Sequence, residues 1–173
     1  GIPVSTSGIA FGGNPVVANA ETWDGSAWTE VGDLNTARMY LGGFGAATSA
    51  IAGNGNEPPY TGNSVESWNG TAWTEVAEMN TARAEMYGGQ GTENTAGIIA
   101  GGAPNATSAT ASVEEWNGSS WTEVADLGTA ARMGGEVGSI LSGMYVGGQR
   151  PSTNVTNVEE WTVSFTTKTF DTD

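Results

Sequence analysis

The chain has no cysteine and no histidine among its 173 residues. Without cysteine there are no disulfide staples and no thiol nucleophile, so stability has to come from packing and hydrogen bonds. Without histidine, most zinc, copper and haem ligand sets are excluded, together with imidazole general-base catalysis and the Ser-His and Cys-His nucleophile pairs. Positive charge is almost as scarce. Five Lys and Arg stand against 19 Asp and Glu, a formal net charge of −14. Such a surface repels phosphate backbones and anionic lipid and offers no counterion release, which argues against nucleic-acid or membrane partners. No apolar run approaches the roughly 20 residues that a membrane-spanning helix needs, and no basic start followed by an apolar stretch marks a signal peptide.

What is abundant is glycine, at 27 residues, beside much Ser, Thr and Asn, while charged residues make up only 14%. With 38% hydrophobic residues, this is the profile of a turn-rich all-β protein with enough apolar material for a core.

A repeat organises the chain. Residues 20–38 read AETWDGSAWTEVGDLNTAR, 65–83 VESWNGTAWTEVAEMNTAR and 113–132 VEEWNGSSWTEVADLGTAAR. Six of the seven Trp fall in these copies: Trp23, Trp28, Trp68, Trp73, Trp116 and Trp121. A degenerate fourth copy, VEEWTVSFTTKTFDTD, keeps Trp161 but loses the Asn-Gly pair and the second Trp. The leading Trp residues at 23, 68, 116 and 161 are spaced by 45, 48 and 45 residues, the period of four-stranded propeller blades. Upstream of each copy lies an apolar run closed by glycine, at 9–13, 51–55, 98–102 and 144–148. These read as buried strands stopped by turns. The Asn117-Gly118 pair predicts a type I′ hairpin between Trp116 and a returning strand at 121–124. The glycine-rich runs at 39–45, 84–91 and 133–138 read as inner strands, where a missing side chain lets backbones approach closely. In the fourth copy the alternation of Trp161, Val163 and Phe165 suits one extended strand at least as well as a hairpin.

The apolar strand ending in Gly-Gly, the aromatic residue, the second Trp five residues on and the following Arg together resemble the kelch repeat. That resemblance implies an all-β, kelch-like β-propeller with one blade per repeat. The four repeats, of about 46 residues, run over 1–38, 39–83, 84–132 and 133–173 and make a single domain, 1–173, either four-bladed or part of a larger propeller. Kelch propellers usually have more blades and share one between their termini, and no shared blade is evident here. More loosely, the Asn-Gly-Thr-Ala-Trp-Thr-Glu-Val wording is similar to repeats of marine and cyanobacterial phage proteins, many of them taken to be virion components.

Each repeated residue type has a structural and a ligand-binding reading. A buried Trp contributes about 4 to 6 kcal/mol as an upper bound, and losing six would leave little core, so packing between blades is the expected role. Arg38, Arg83 and Arg132 occupy one motif position and could ring an anion. Each copy also carries Glu beside the first Trp (Glu21, Glu66, Glu114) and after the second (Glu30, Glu75, Glu123), so inter-strand or inter-blade ion pairs are favoured. Strings such as Gly88-Gly89-Gln90-Gly91 lack the Lys-Ser/Thr and helix of a phosphate cradle. The sequons at Asn69 and Asn117 are hairpin turns, and those at Asn105 and Asn154 carry no further signal. No calcium-loop pattern occurs, so the acidic residues read as solvated surface.

The copies differ most between the glycine turn and the next Trp, where five of the six prolines lie: Pro15, Pro58, Pro59, Pro104 and Pro151. Variable loops on a rigid repeated scaffold are where binding resides, and Glu57, Tyr60 and Arg150 are the candidate contact residues. No catalytic residue, metal site or cofactor is expected. The expected function is non-enzymatic: a structural or interaction module on a virion surface, such as a fibre, knob or decoration, or otherwise extracellular. Its partners would be proteins of a larger assembly or a host-surface glycan, and a homo-oligomer is compatible with the sequence. The alternative is a lectin-like carbohydrate-binding adhesin that uses the proline-rich loop face.

Overall fold

The computed structural model describes residues 6–57, 60–105, 107–150, 153–154 and 156–162, with the backbone alone at 57, 60 and 61. Among them there is no helix. Four antiparallel sheets follow one another along the chain, each built from strands adjacent in sequence apart from inserted ribbons. The first is β1 (Gly8–Phe11), β2 (Ala20–Trp23) and β3 (Trp28–Glu30). The second is β4 (Gly42–Ala46), β5 (Ser49–Gly53), β8 (Val65–Trp68) and β9 (Trp73–Val76), interrupted by the ribbon β6 (Asn56–Glu57) and β7 (Tyr60–Thr61). The third is β10 (Gln90–Glu93), β11 (Ala96–Ala100), β12 (Val113–Trp116) and β13 (Trp121–Glu123). The fourth is β14 (Gly135–Ser139), β15 (Ser142–Val146) and β18 (Val158–Thr162), with the ribbon β16 (Gln149–Arg150) and β17 (Thr153–Asn154). Val163, Phe165, Pro58, Pro59 and Pro151 lie outside the described residues.

Register makes the sheets copies of one another. Trp23 faces Gly8, Trp68 faces Ala50, Trp116 faces Gly97 and Trp161 faces Gly143 across the same pair of strands. In the first three sheets the two Trp are themselves cross-strand partners: Trp23 with Trp28, Trp68 with Trp73, Trp116 with Trp121. Their rings meet at 5.2 to 5.5 Å, a directly opposed aromatic pair of the kind that holds a register.

The hairpins between the Trp differ from the two-residue type I′ turn that Asn-Gly predicts. With the Trp residues paired, four residues form the loop, and only the glycine is left-handed, with φ of 98° at Gly25, 91° at Gly70 and 92° at Gly118. The side-chain oxygen of Asp24, Asn69 or Asn117 accepts the backbone N–H groups that follow, at 2.8 to 3.0 Å. A carboxylate or amide oxygen thus does what the second left-handed residue would have done.

The cores lie between sheets. Phe11, Ala52, Trp68 and Trp73 join the first sheet to the second; Phe44, Ile51, Ile99, Trp116 and Trp121 join the second to the third. Ile98, Val113, Tyr145 and Trp161 join the third to the fourth. The first strands of neighbouring sheets approach closely: a Cβ on Gly89 would stand 2.8 Å from the Gly43 carbonyl oxygen, which is why these strands are written in glycine.

Candidate functional site

Two regions gather polar side chains: the junctions between sheets, and the face on which the long loops emerge. The junctions come first, because they absorb the repeated charges. Glu66 follows Val65 on β8, and the pleat turns its carboxylate toward the preceding repeat. There one oxygen accepts from the backbone N–H and the side-chain amide of Asn35 at 2.7 and 2.8 Å; the other accepts from the Thr36 N–H at 3.1 Å and Arg38 Nη2 at 2.7 Å. Arg38 also donates to the carbonyls of Thr36, Asn54 and Ser64 at 3.2, 3.2 and 2.9 Å. Both side chains are fully buried. A buried pair is stable only when its remaining donors and lone pairs are met, and here they are.

The next junction repeats this clamp with one difference. Glu114 accepts from Asn80 twice at 2.8 Å and from the Thr81 N–H at 3.2 Å, but Arg83 Nη1 stands 3.5 Å away. Arg83 Nε and Nη1 are buried without a hydrogen-bond partner among the described residues. Burial accordingly pulls the guanidinium below its ordinary pKa, against the pull of Glu114 and Glu136. The Glu136 carboxyl is within electrostatic reach of this cation. It accepts the Ala100 N–H at 3.1 Å, its second oxygen is buried without a partner, and burial pushes its pKa up to about 8.

The third junction breaks the pattern. The reading that places Arg38, Arg83 and Arg132 at one position does not survive the backbone register, because DLGTAAR carries one residue more than DLNTAR or EMNTAR. Ala131 N–H bonds the Thr110 carbonyl as Arg38 N–H bonds that of Val17, so Ala131 takes the arginine's place. Arg132, one step later, reaches Glu85 at 2.9 Å and Gln149 Oε1 at 2.7 and 3.0 Å. Glu159, the counterpart of Glu66, accepts the Gly128 N–H at 2.5 Å and is paired instead by Arg150 at 3.0 Å. Sequence reasoning offers Arg150 as a contact residue of the variable loops; in the structure its guanidinium pairs with Glu159. The extra alanine was the available signal.

The remaining Glu expectations divide. Glu30, Glu75 and Glu123 are cross-strand partners of Glu21, Glu66 and Glu114 and lie on exposed strand positions. Glu21 is itself exposed, unlike its buried counterparts. The Trp expectation also meets an exception: Trp68, Trp73, Trp116 and Trp121 are buried between sheets, whereas Trp28 is 50% exposed.

The loop face is built by bridges between each crossover and a neighbouring long loop: Val17 to Arg38, Met39 to Asn56, Ala84 to Ala103, Thr110 to Ala131 and Arg132 to Gln149. Crossovers and proline-containing loops therefore share one side of the molecule. Each crossover turns at a left-handed residue, Tyr40 (φ 55°), Glu85 (φ 59°) and Met133 (φ 58°), a costly conformation for non-glycine residues. Two of these turns and Tyr87 form a surface cluster of aromatic and charged groups. Tyr40 and Tyr87 meet edge to face at 6.1 Å, Tyr87 is half exposed, and the Glu85–Arg132 pair lies alongside. Partial burial, helped by Tyr40 and Glu85, raises the Tyr87 phenol above its ordinary pKa, so it remains a neutral donor and stacking surface. Sequence reasoning missed this cluster, because Tyr40, Glu85 and Tyr87 sit inside runs read as inner strands. Of the expected contact residues, Glu57 and Tyr60 are cross-strand partners in the β6–β7 ribbon, and their side chains lie outside the described set.

Between the third and fourth sheets a cavity of about 60 Å³ is lined by Gln90, Asp126, Tyr145, Glu159 and Trp161 among others. It has room for about two waters. Among the described residues no three acidic side chains converge on a point that would suit a metal ion.

No protein-family model matches the chain, and no curated protein does. Among solved structures, one described as "Structure of YjhT" is similar with a TM-score of 0.69 at 17% identity, over 84% of this chain and 49% of that one. At that identity the likeness carries the arrangement of sheets alone, and the chain spans about half the length of its structural neighbour.

Proposed function

We propose that the chain is a run of kelch-like propeller blades serving as a non-enzymatic structural and interaction module, displayed on a virion surface. The four sheets are its blades, the Arg–Glu clamps its inter-blade fasteners, and the loop face its contact surface. One observation carries this reading: two of the repeated arginines are spent inside the molecule, Arg38 on Glu66 and Arg83 on Glu114, while the described long loops bridge to the crossovers on one side. Placing a photo-cross-linking residue at Tyr60 or Tyr87 in native particles tests it. Cross-links to one defined structural protein are expected; the absence of any particle-associated partner would overturn it.

A carbohydrate-binding adhesin is the second reading, favoured by the half-exposed Tyr87 edge to face with Tyr40 beside an ion pair. Aromatic faces next to charged hydrogen-bonding groups are what sugar rings stack on. Glycan-array binding lost on Tyr60→Ala or Tyr87→Ala would support it, and a clean array with firm attachment to particles would sink it.

A further inference from the structure

The two end sheets carry the unmatched halves of one junction. On the fourth sheet the surface facing away from the third is apolar and exposed: Val137, Met144, Val146 and Val158. Register identifies these with residues that are buried in earlier sheets. Val158 faces Val146 as Val65 faces Gly53 and Val113 faces Ala100. Val65 and Val113 are 0% and 3% exposed, but Val158 is 57% exposed. By the same register Met144 corresponds to Ile51 and Ile98, both buried.

The opposite half lies on the first sheet. Trp73 and Trp121 reach back to the preceding sheet and meet Phe11 at 5.0 Å and Phe44 at 6.4 Å, edge to face. Trp28 is their counterpart and is half exposed. The positions of Phe11 and Phe44 in the fourth sheet belong to Val146 and Val137, which face Val158 and Met144, and both are exposed. One face thus offers an indole, and the other offers the apolar positions on which such an indole packs at the internal junctions.

We propose that a second copy of this chain covers these faces head to tail, with Trp28 of one copy packed on Val137 and Val146 of the other. Three arguments select a second copy. The contact continues an interface the chain already makes three times internally. Its halves are different surfaces, so the association is heterologous and closes when the rotation allows. The similar solved structure, 49% of which is covered by 84% of this chain, has room beside the matched part for a second run of the same length. The proposal rests on the blade reading of the sheets but not on the virion or glycan reading.

Sedimentation equilibrium of the 173-residue chain tests it, with three variants at exposed positions. The expected result is a reversible dimer of twice the chain mass. Trp28→Ala, which removes the indole from the contact, and Val158→Glu, which places an unpaired charge in it, should each raise its Kd by at least about 100-fold, while the dissociated chain still melts cooperatively at low protein concentration. Tyr87→Ala, on the loop face, should leave Kd unchanged. A chain that stays monomeric at all concentrations overturns the proposal. So does a dimer indifferent to Trp28→Ala and Val158→Glu, or a longer natural chain whose further repeats cover both faces within one molecule.

Discussion

Arg150 pairs with Glu159 across 3.0 Å, filling from within the fourth repeat the place that Arg38 and Arg83 fill from the repeat before. The extra alanine of the third copy moves Arg132 one residue along, and a different cation takes over the orphaned carboxylate. A carboxylate turned into a junction at this position, fully buried at Glu66 and Glu114 and partly buried at Glu159, is met by a cation in each case, whichever element supplies it.

Arg38→Met should therefore cost about 3 to 5 kcal/mol, because it leaves the Glu66 charge buried without its cation. Arg83→Met should cost less. Its guanidinium stands 3.5 Å from Glu114 and leaves two nitrogens unmatched, so the wild type already bears part of the penalty. Denaturant unfolding of the two variants checks the order, and equal losses would contradict it.

The Trp residues should divide the same way. Trp73→Ala empties a site that is 6% exposed, whereas Trp28 is 50% exposed. Truncating a buried Trp costs about 3 to 5 kcal/mol. Trp28→Ala should lower the stability of the dissociated chain by about a third of that or less, read as ΔTm at low protein concentration.

Glu136 sets a pH dependence of definite sign. Its ordinary pKa of 4.5 applies in the unfolded chain, and burial raises it to about 8 in the folded one, despite the opposing pull of Arg83. Between those values the folded state holds a proton that the unfolded state releases. Stability from this group is thus greatest below pH 4.5 and is lost as pH rises through about 8. The Tm of Glu136→Gln relative to wild type should rise across that interval; a constant difference would refute the assignment.

Arg150→Met should destabilise the fourth sheet by removing the cation from Glu159. Deleting Ala130 restores the length of the third copy and brings Arg132 to the position of Arg38 and Arg83. In that background Arg150→Met should be nearly neutral, as thermal melts of the deletion alone and of the double variant will show.

Much of this architecture was legible in the sequence, because a repeat writes its strand positions several times and a buried face tolerates few residues. The Trp pairs and the glycine-terminated strands follow from spacing. Other features were not legible, for identifiable reasons. Asn-Gly announces a turn but not its length; the Trp–Trp register and the Asn side-chain oxygen decide that. Counting arginines by motif concealed the shift of Arg132, since a single inserted alanine changes which backbone position carries the charge. The exposure of Trp28 and Val158 is invisible to pattern reading because the residue types are those of buried copies, and only position at the end of the array distinguishes them. Tyr87 is hidden similarly, inside a run whose glycines read as inner strand.

The central claim is that the repeated charges fasten neighbouring repeats to one another. A double-mutant cycle on Arg38→Met and Glu66→Gln, followed by urea unfolding, tests it most directly. The account predicts a coupling energy of about 1.5 to 3 kcal/mol; single losses that simply add would contradict it.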